Sequence, residues 1–301
     1  MKKFFAILLT LVLVVGAFAA CGGNTEETTA ADDTTAAAEE TTGAALTATD
    51  GVLVMATNAA FPPYEFKEGD NFAGIDVEIA GKIAEKLGLT LEIKDVEFGT
   101  IVGGVQTGKF DMGMAGMTVT DERLESVNFS TSYATGIQVV IVSEDSAIAS
   151  LDDLKGDGSM KFGVQQDTTG DIYASSSVEK GGYGEENVVR YKTGAAAVQA
   201  LKTGKVDAVI IDNEPAKSFV AENEGLKILD AEWAVEDYAI AIAKENTALL
   251  TAVNNALAEL TADGTVASIV AKYIPTAAVE DTTAEAVEDT TAAAEETTVA
   301  A

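Results

Sequence analysis

Histidine is absent from the 301 residues, and cysteine and tryptophan occur once each. Without histidine the chain lacks the side chain that most often serves as general base and the one whose ordinary pKa lies near neutrality. A single cysteine, Cys21, excludes an intramolecular disulfide. Positive charge is scarce: 19 Lys and Arg stand against 49 Asp and Glu, for a formal net charge of −30. A nucleic-acid partner needs a basic face, so that function class is excluded. Long apolar runs are missing too. The longest, from Phe4 to Phe18, falls short of the ~20 residues that span a bilayer.

What the two ends do contain is strongly biased. Lys2 and Lys3 precede the Phe4–Phe18 run, and Ala19-Ala20-Cys21-Gly22-Gly23 follows it. A basic n-region, an apolar h-region and small residues before a cut make residues 1–20 a signal peptide in expectation. Cys21, directly after the small residues, resembles a bacterial lipobox cysteine, which would be lipidated and anchor the chain to the cell membrane, although Phe18 stands where leucine is usual. Residues 21–50 and 276–301 are rich in Thr, Ala, Glu and Asp, and Asp32–Thr42 recurs with one change at Glu288–Thr298. Beyond Cys21 they hold no aromatic residue and no positive charge, so nothing offsets the entropy of ordering them. Both are expected to be disordered, the first as a lipid-anchored acidic linker and the second as an acidic tail.

Between these ends, strand-like and helix-like patterns alternate, which predicts an α/β fold with a parallel sheet under covering helices. Val52–Thr57 reads as a buried strand. Ile75, Ile79, Ala80, Ile83, Ala84 and Leu87 follow helical spacing up to a stop at Gly88. Leu89–Val96 reads as a strand, 99–107 as a helix and Phe110–Ala115 as a strand. One internal echo organises the rest. Val102-Gly-Gly-Val-Gln-Thr-Gly-Lys-Phe-Asp111 lines up with Val198-Gln-Ala-Leu-Lys-Thr-Gly-Lys-Val-Asp207. Each is a helix, a Thr-Gly-Lys turn, an apolar residue and an Asp before an apolar strand, so two similar lobes are expected. Ligands in open α/β sheets bind at the carboxyl ends of the strands. Thr135–Val142 and Val235–Ile242 would be a two-strand hinge, with 51–135 and 239–275 as lobe one and 136–238 as lobe two. A cleft between hinged lobes suits an enclosed small ligand.

Ala115-Gly-Met-Thr-Val-Thr-Asp-Glu-Arg123 is the most informative segment. It reads as a strand end, a turn and the first turn of a helix, and it offers backbone N–H groups, hydroxyls and a guanidinium fork, the parts that hold a carboxylate. From these residues alone, Thr120 as a helix cap and Arg123 as a surface ion-pair partner is an equal alternative.

Together with Leu53-Val-Met-Ala-Thr-Asn-Ala-Ala-Phe-Pro-Pro-Tyr-Glu-Phe66, Gly74-Ile-Asp-Val-Glu78 and Asp207-Ala-Val-Ile-Ile-Asp212, this segment resembles the polar-amino-acid substrate-binding proteins of ABC importers, such as glutamine- and lysine/arginine/ornithine-binding proteins. The resemblance covers residues 51–275 in unbroken order. It implies a periplasmic-binding-protein-like type II fold, two α/β lobes joined by a two-strand hinge. It also implies an extracytoplasmic receptor, monomeric and without cofactor or metal, that closes on a free L-amino acid and delivers it to an ABC permease.

By that resemblance, Arg123 grips the ligand's α-carboxylate with Thr118 and the backbone around Ala115 and Gly116, and Asp212 holds the α-ammonium. Gln165, Thr168, Thr169 and Gly170 match the loop of lobe two that closes over the ligand, although Asp167 stands where relatives usually carry Gly. Phe61 and Phe98 match aromatics that sandwich the ligand, with core packing as their alternative. Asn58 matches an Asp of the named relatives, and neutral groups stand at Gln165 and Ile211 where the glutamine-binding relative carries Lys and His. These differences imply a neutral polar ligand. Two other functions stay in view: a ligand-sensing lipoprotein without transport, and a dehydratase-like enzyme. For the enzyme, the missing histidine leaves only carboxylates such as Glu65 or Asp212.

Overall fold

The computed structural model describes residues 46–230 and 233–275. The signal peptide, Cys21, most of the acidic linker and the acidic tail lie outside the described residues. In chain order the elements are β1 (Val52–Thr57), β2 (Phe66–Glu68), β3 (Asn71–Ala73), α1 (Ile75–Leu87), β4 (Thr90–Asp95), α2 (Ile101–Gln106), β5 (Met112–Gly113), α3 (Asp121–Ser126), β6 (Val127–Phe129) and β7 (Ala134–Ser143). There follow β8 (Phe162–Gln165), α4 (Thr169–Ser175), β9 (Val188–Tyr191), α5 (Gly194–Lys202), β10 (Ala208–Asp212), α6 (Asn213–Glu222), β11 (Leu226–Ile228), β12 (Ala234–Tyr238), β13 (Ala241–Ala243), α7 (Thr247–Ala262) and α8 (Thr265–Tyr273).

The strands form two main sheets, one to a lobe. Sheet one runs β4-β1-β5-β13-β6, and sheet two runs β11-β7-β10-β8-β9 with β12 also paired to β7. The expectation of a parallel sheet needs correction. β1 is parallel to β4 and β5, and β8 to β9 and β10, but β13 is antiparallel to β5 and β6, and β7 to β10, β11 and β12. The reversed strands flank the two places, 130–133 and 239–240, where the chain passes between sheets. The expected strand Val235–Ile242 accordingly splits into β12 and β13, because its two halves serve different sheets.

Local structure follows from residue type. Ile75, Ile79, Ala80, Ile83 and Ala84 are buried on one face of α1, and Gly88 ends it in the left-handed region at φ 67°. Its N–H returns to Glu85, as a glycine beyond a helix end favours. The echoed units are built alike. α2 and α5 each stop before a left-handed glycine, Gly108 at φ 71° and Gly204 at φ 67°. Asp111 and Asp207 then tie down the strand next door. The buried Asp111 carboxylate accepts the N–H groups of Ala48 and Val54, both at 2.8 Å, whereas the exposed Asp207 accepts that of Lys161 at 2.7 Å. Asn246 donates to the Leu46 carbonyl at 2.9 Å, so residues 46–48 are strapped to lobe one.

Apolar residues cover both faces of each sheet, and one cluster continues across the passage between lobes. Leu53, Met55 and Ile79 of lobe one join Val209, Ile211 and Val198 of lobe two through Phe61, Tyr64, Tyr133 and Tyr238. Full burial of each large side chain contributes about 1.5–3 kcal/mol. The crossing is therefore a packed core rather than a loose linker. It brings the carboxyl ends of β1, β5, β8 and β10 to face one another.

Candidate functional site

A cavity lies where those four strand ends meet. Asn58, Phe61 and Glu65 follow β1. Ala115, Gly116, Thr118 and Arg123 follow β5. Gln165, Thr168 and Thr169 come from the end of β8, and Asp212 ends β10. Phe98 enters from the turn after β4. All twelve line the cavity, so eleven of the residues expected from the sequence are brought to one place and Glu65 joins them, while Gly170 is buried in α4 outside the lining.

Arg123 is 7 % exposed and held from several sides. Thr120 caps α3 by accepting the Arg123 N–H at 3.2 Å. The cap reading and the cavity position thus hold together. The guanidinium donates through Nη1 to the Thr118 carbonyl at 2.7 Å and through Nη2 to the Asp167 carbonyl at 3.1 Å, and it stacks 5.2 Å from the Phe98 ring centre. Two of its five donors are committed to backbone, which fixes the fork and leaves three. Burial lowers its pKa, opposed by the charges of Glu236 and Asp212.

Gly116 has a positive φ of 50°, and a Cβ there would come within 2.9 Å of the Phe61 ring. Only glycine suits both demands. Its N–H donates to Asp76 Oδ2 at 2.8 Å. The backbone of Gly116 therefore anchors a buried acid and has no N–H left for a ligand. Asp167 adopts the left-handed region at φ 65°, the conformation that a glycine at this position of relatives would favour. Asp is among the side chains that tolerate it. Its carboxylate lies against Gly99 of lobe one, where a Cβ would fall within 2.0 Å of Oδ2.

The lobes meet directly across the cavity. Gln165 Nε2 donates to Asn58 Oδ1 at 3.0 Å, while Asn58 Nδ2 donates to the Val96 carbonyl at 2.8 Å. The hydroxyls of Thr118 and Thr169 each donate to Glu236 Oε2 at 3.0 Å, which also accepts from Gln138 Nε2 at 3.0 Å. One carboxylate oxygen on β12 thus gathers donors from lobe one, lobe two and the crossing strand.

The acid side of the site is larger than the sequence suggested. Asp212, 5 % exposed, accepts a hydrogen bond from the Tyr238 hydroxyl, and burial with the nearby Glu236 charge pushes its carboxyl up to about 7. Burial pushes Asp76 up to about 6 against the stabilising donors Gly116 and Tyr133. Glu65 is pushed well above the usual carboxylate range, first by burial and then by Asp76. Sequence reading named Glu65 only as a carboxylate open to an enzyme and passed over Asp76, Gln138, Glu236 and Tyr238. One signal was available: Glu236 and Tyr238 share a face of a strand by alternation, and Tyr238 is plainly a core residue.

Comparison with known proteins bears on this geometry. The model of the bacterial extracellular solute-binding proteins, family 3, matches residues 53–276. The arginine-binding extracellular protein ArtP of Bacillus subtilis (strain 168) is 33 % identical over 224 residues, covering 73 % of this chain and 85 % of that protein. The L-cystine-binding protein TcyJ of Escherichia coli (strain K12) is 28 % identical, covering 74 % and 82 %. A crystal structure of the substrate-binding protein of an amino acid ABC transporter is 36 % identical with a TM-score of 0.69, covering 75 % of this chain and all of that one, 100 %.

Proposed function

Because this chain belongs to the bacterial extracellular solute-binding proteins of family 3, with their two-lobed type II fold, we propose that it is an extracytoplasmic receptor that closes on one free amino acid and hands it to an ABC permease. The observation that carries the reading is the pairing inside one cavity of Arg123, whose free donors suit a carboxylate, with Asp212, whose carboxylate suits an ammonium. An amino acid presents those two groups on adjacent atoms. Phe61 and Phe98 supply apolar walls. Thr118, Thr168 and Thr169 supply hydroxyls, and Asn58, Gln165, Ala115 and Gly116 complete the lining.

For the side chain, the geometry supports a basic amino acid. Asn58 argues for a neutral ligand, but its amide is already satisfied by Val96 and Gln165. Glu65 Oε2 and Gln165 Oε1 are the buried lining oxygens without a protein donor, and a cationic side chain would complete the charged one, Glu65. The arginine-binding relative ArtP supports the same reading. We assign no catalytic role: the relatives described are binding proteins. Cys21 would anchor the receptor through lipid, with 21–50 as its tether, and the receptor would work as a monomer. Among the described residues no helix is long and apolar enough to cross a membrane.

Calorimetry with the twenty amino acids and cystine tests this directly. At least one ligand should bind with a Kd of ~1 μM or tighter, with arginine or lysine foremost. Flat traces across the panel would overturn the receptor reading. A neutral amino acid as the tightest ligand would overturn the basic one.

A further inference from the structure

Glu65 lines the cavity and Asp76 lies within side-chain hydrogen-bonding reach of it, the two in unequal surroundings. Asp76, fully buried at the start of α1, has the partners of an anion: its Oδ2 accepts the Gly116 N–H at 2.8 Å and the Tyr133 hydroxyl at 2.9 Å. Glu65 lines the cavity at 1 % exposure, and neither its Oε2 nor Asp76 Oδ1 receives any N–H or O–H from the rest of the protein. Two touching carboxyls with no cation between them do not both ionise. One proton between them satisfies both orphan oxygens, and the donors on Asp76 leave that proton on Glu65. Burial and the Asp76 charge, which both raise Glu65, agree.

The other titratable groups around the pair are acids as well. Tyr64 adjoins Glu65 in the chain, Tyr133 comes from the passage between sheets, and Asp212 comes from the end of β10. Arg123 is the one cation among the cavity-lining residues, and it is tied to the Thr118 and Asp167 carbonyls. The pair therefore has no positive partner within the cavity wall.

We propose that the Glu65–Asp76 pair reads the charge of the ligand by exchanging its shared proton for the ligand's side-chain cation, with Glu65 touching the ligand and Asp76 as the positioning residue. The balance is simple. The O–H bond of Glu65 breaks, its proton leaves to solvent, and the cation, keeping its own protons, pairs with the carboxylate left behind. A neutral side chain leaves the proton in place between the two carboxyls. The proposal rests on the basic amino-acid reading of the cavity.

Arginine and citrulline share their backbone groups and differ in side-chain charge, so their difference isolates this exchange from any proton lost by Asp212. Titration calorimetry of the full-length chain at about pH 7.5, in phosphate and in Tris, counts the protons released. In the wild type, arginine should release about one proton more than citrulline, and its affinity should gain up to ~10-fold more per pH unit. Glu65→Gln should erase the difference. Asp76→Asn should shrink it, because Glu65 then ionises without a like charge beside it, while the citrulline count stays put. Equal counts for both ligands in the wild type would overturn the exchange alone. If neither arginine nor lysine binds while another amino acid of the panel does, the basic reading falls and the exchange with it.

Discussion

The units α2–β5 and α5–β10 are alike up to the last residue of their strands and opposite in charge beyond it. Each helix ends at a left-handed glycine and each turn leads to an Asp that ties down the strand next door. After that, β5 runs into a glycine-bearing turn and Arg123, whereas β10 stops at Asp212. Repetition supplied the scaffold, and the few residues after each strand supplied the chemistry. The two ends also differ in how they are stabilised. Arg123 is locked by backbone carbonyls and an aromatic face, which leave it charged. Asp212 sits among acids and a tyrosine, where its charge is costly.

Removing the positive end should have the largest effect. Arg123→Ala is expected to weaken amino-acid binding by at least ~100-fold, in line with the 2–5 kcal/mol that truncating a buried charge partner costs. Circular dichroism should show the fold retained. Affinity within a few-fold of wild type would mean that Arg123 only braces the Thr118 and Asp167 carbonyls.

The negative end should trade affinity against stability. Asp212→Asn keeps an acceptor for Tyr238 and is expected to lose about 10- to 100-fold in affinity. Its effect on stability has the opposite sign. Asp212 holds its proton up to about 7 in the folded chain, against about 3.9 when unfolded. The folded state then binds more protons between those values. Wild-type stability is fullest near the lower one, falls as pH rises through the window, and levels off above the upper one. The contribution is on the order of a few kcal/mol. Thermal melts should show Tm declining from pH 5 to pH 8, and Asp212→Asn should flatten the decline and melt above wild type at pH 8. A mutant melting below wild type at pH 8 would show that Asp212 stabilises as an anion.

The smallest effects should come from the shared part of the repeat. Asp111→Asn loses one of two backbone donors at a buried site and should cost about 1–2 kcal/mol in urea unfolding. Asp207→Asn, exposed and with one backbone donor, should cost less than about 1 kcal/mol. Neither should alter amino-acid affinity by more than about twofold, a change of ~0.4 kcal/mol. A larger change would show that the repeated Asp takes part in the opening and closing of the lobes.

Much of this was legible in the chain. The spacing of Ile75, Ile79 and Ile83 with Gly88 marks α1 to the residue, and the Thr-Gly-Lys echo marks the paired units. The cavity lining was readable because its residues follow strand ends within short, locally patterned segments. What could not be read were partners distant in sequence. Asp76 meets Gly116 from 40 residues away and Glu236 meets Thr118 from 118, so the sequence shows the partners of neither acid. The reversed direction of β7 and β13 was hidden for a related reason: alternation along a strand reports which face is apolar and not which way its neighbour runs.

The strap at residues 46–48 has a mechanical consequence. Leu46 and Ala48 are fastened to Asn246 and Asp111, both in lobe one. A pull along the chain from before Leu46 is therefore delivered to lobe one at the side of sheet one, and the load path ends there. Lobe two hangs from the two passages at 130–133 and 239–240 and from its contacts across the cavity, so it carries its own weight and nothing else.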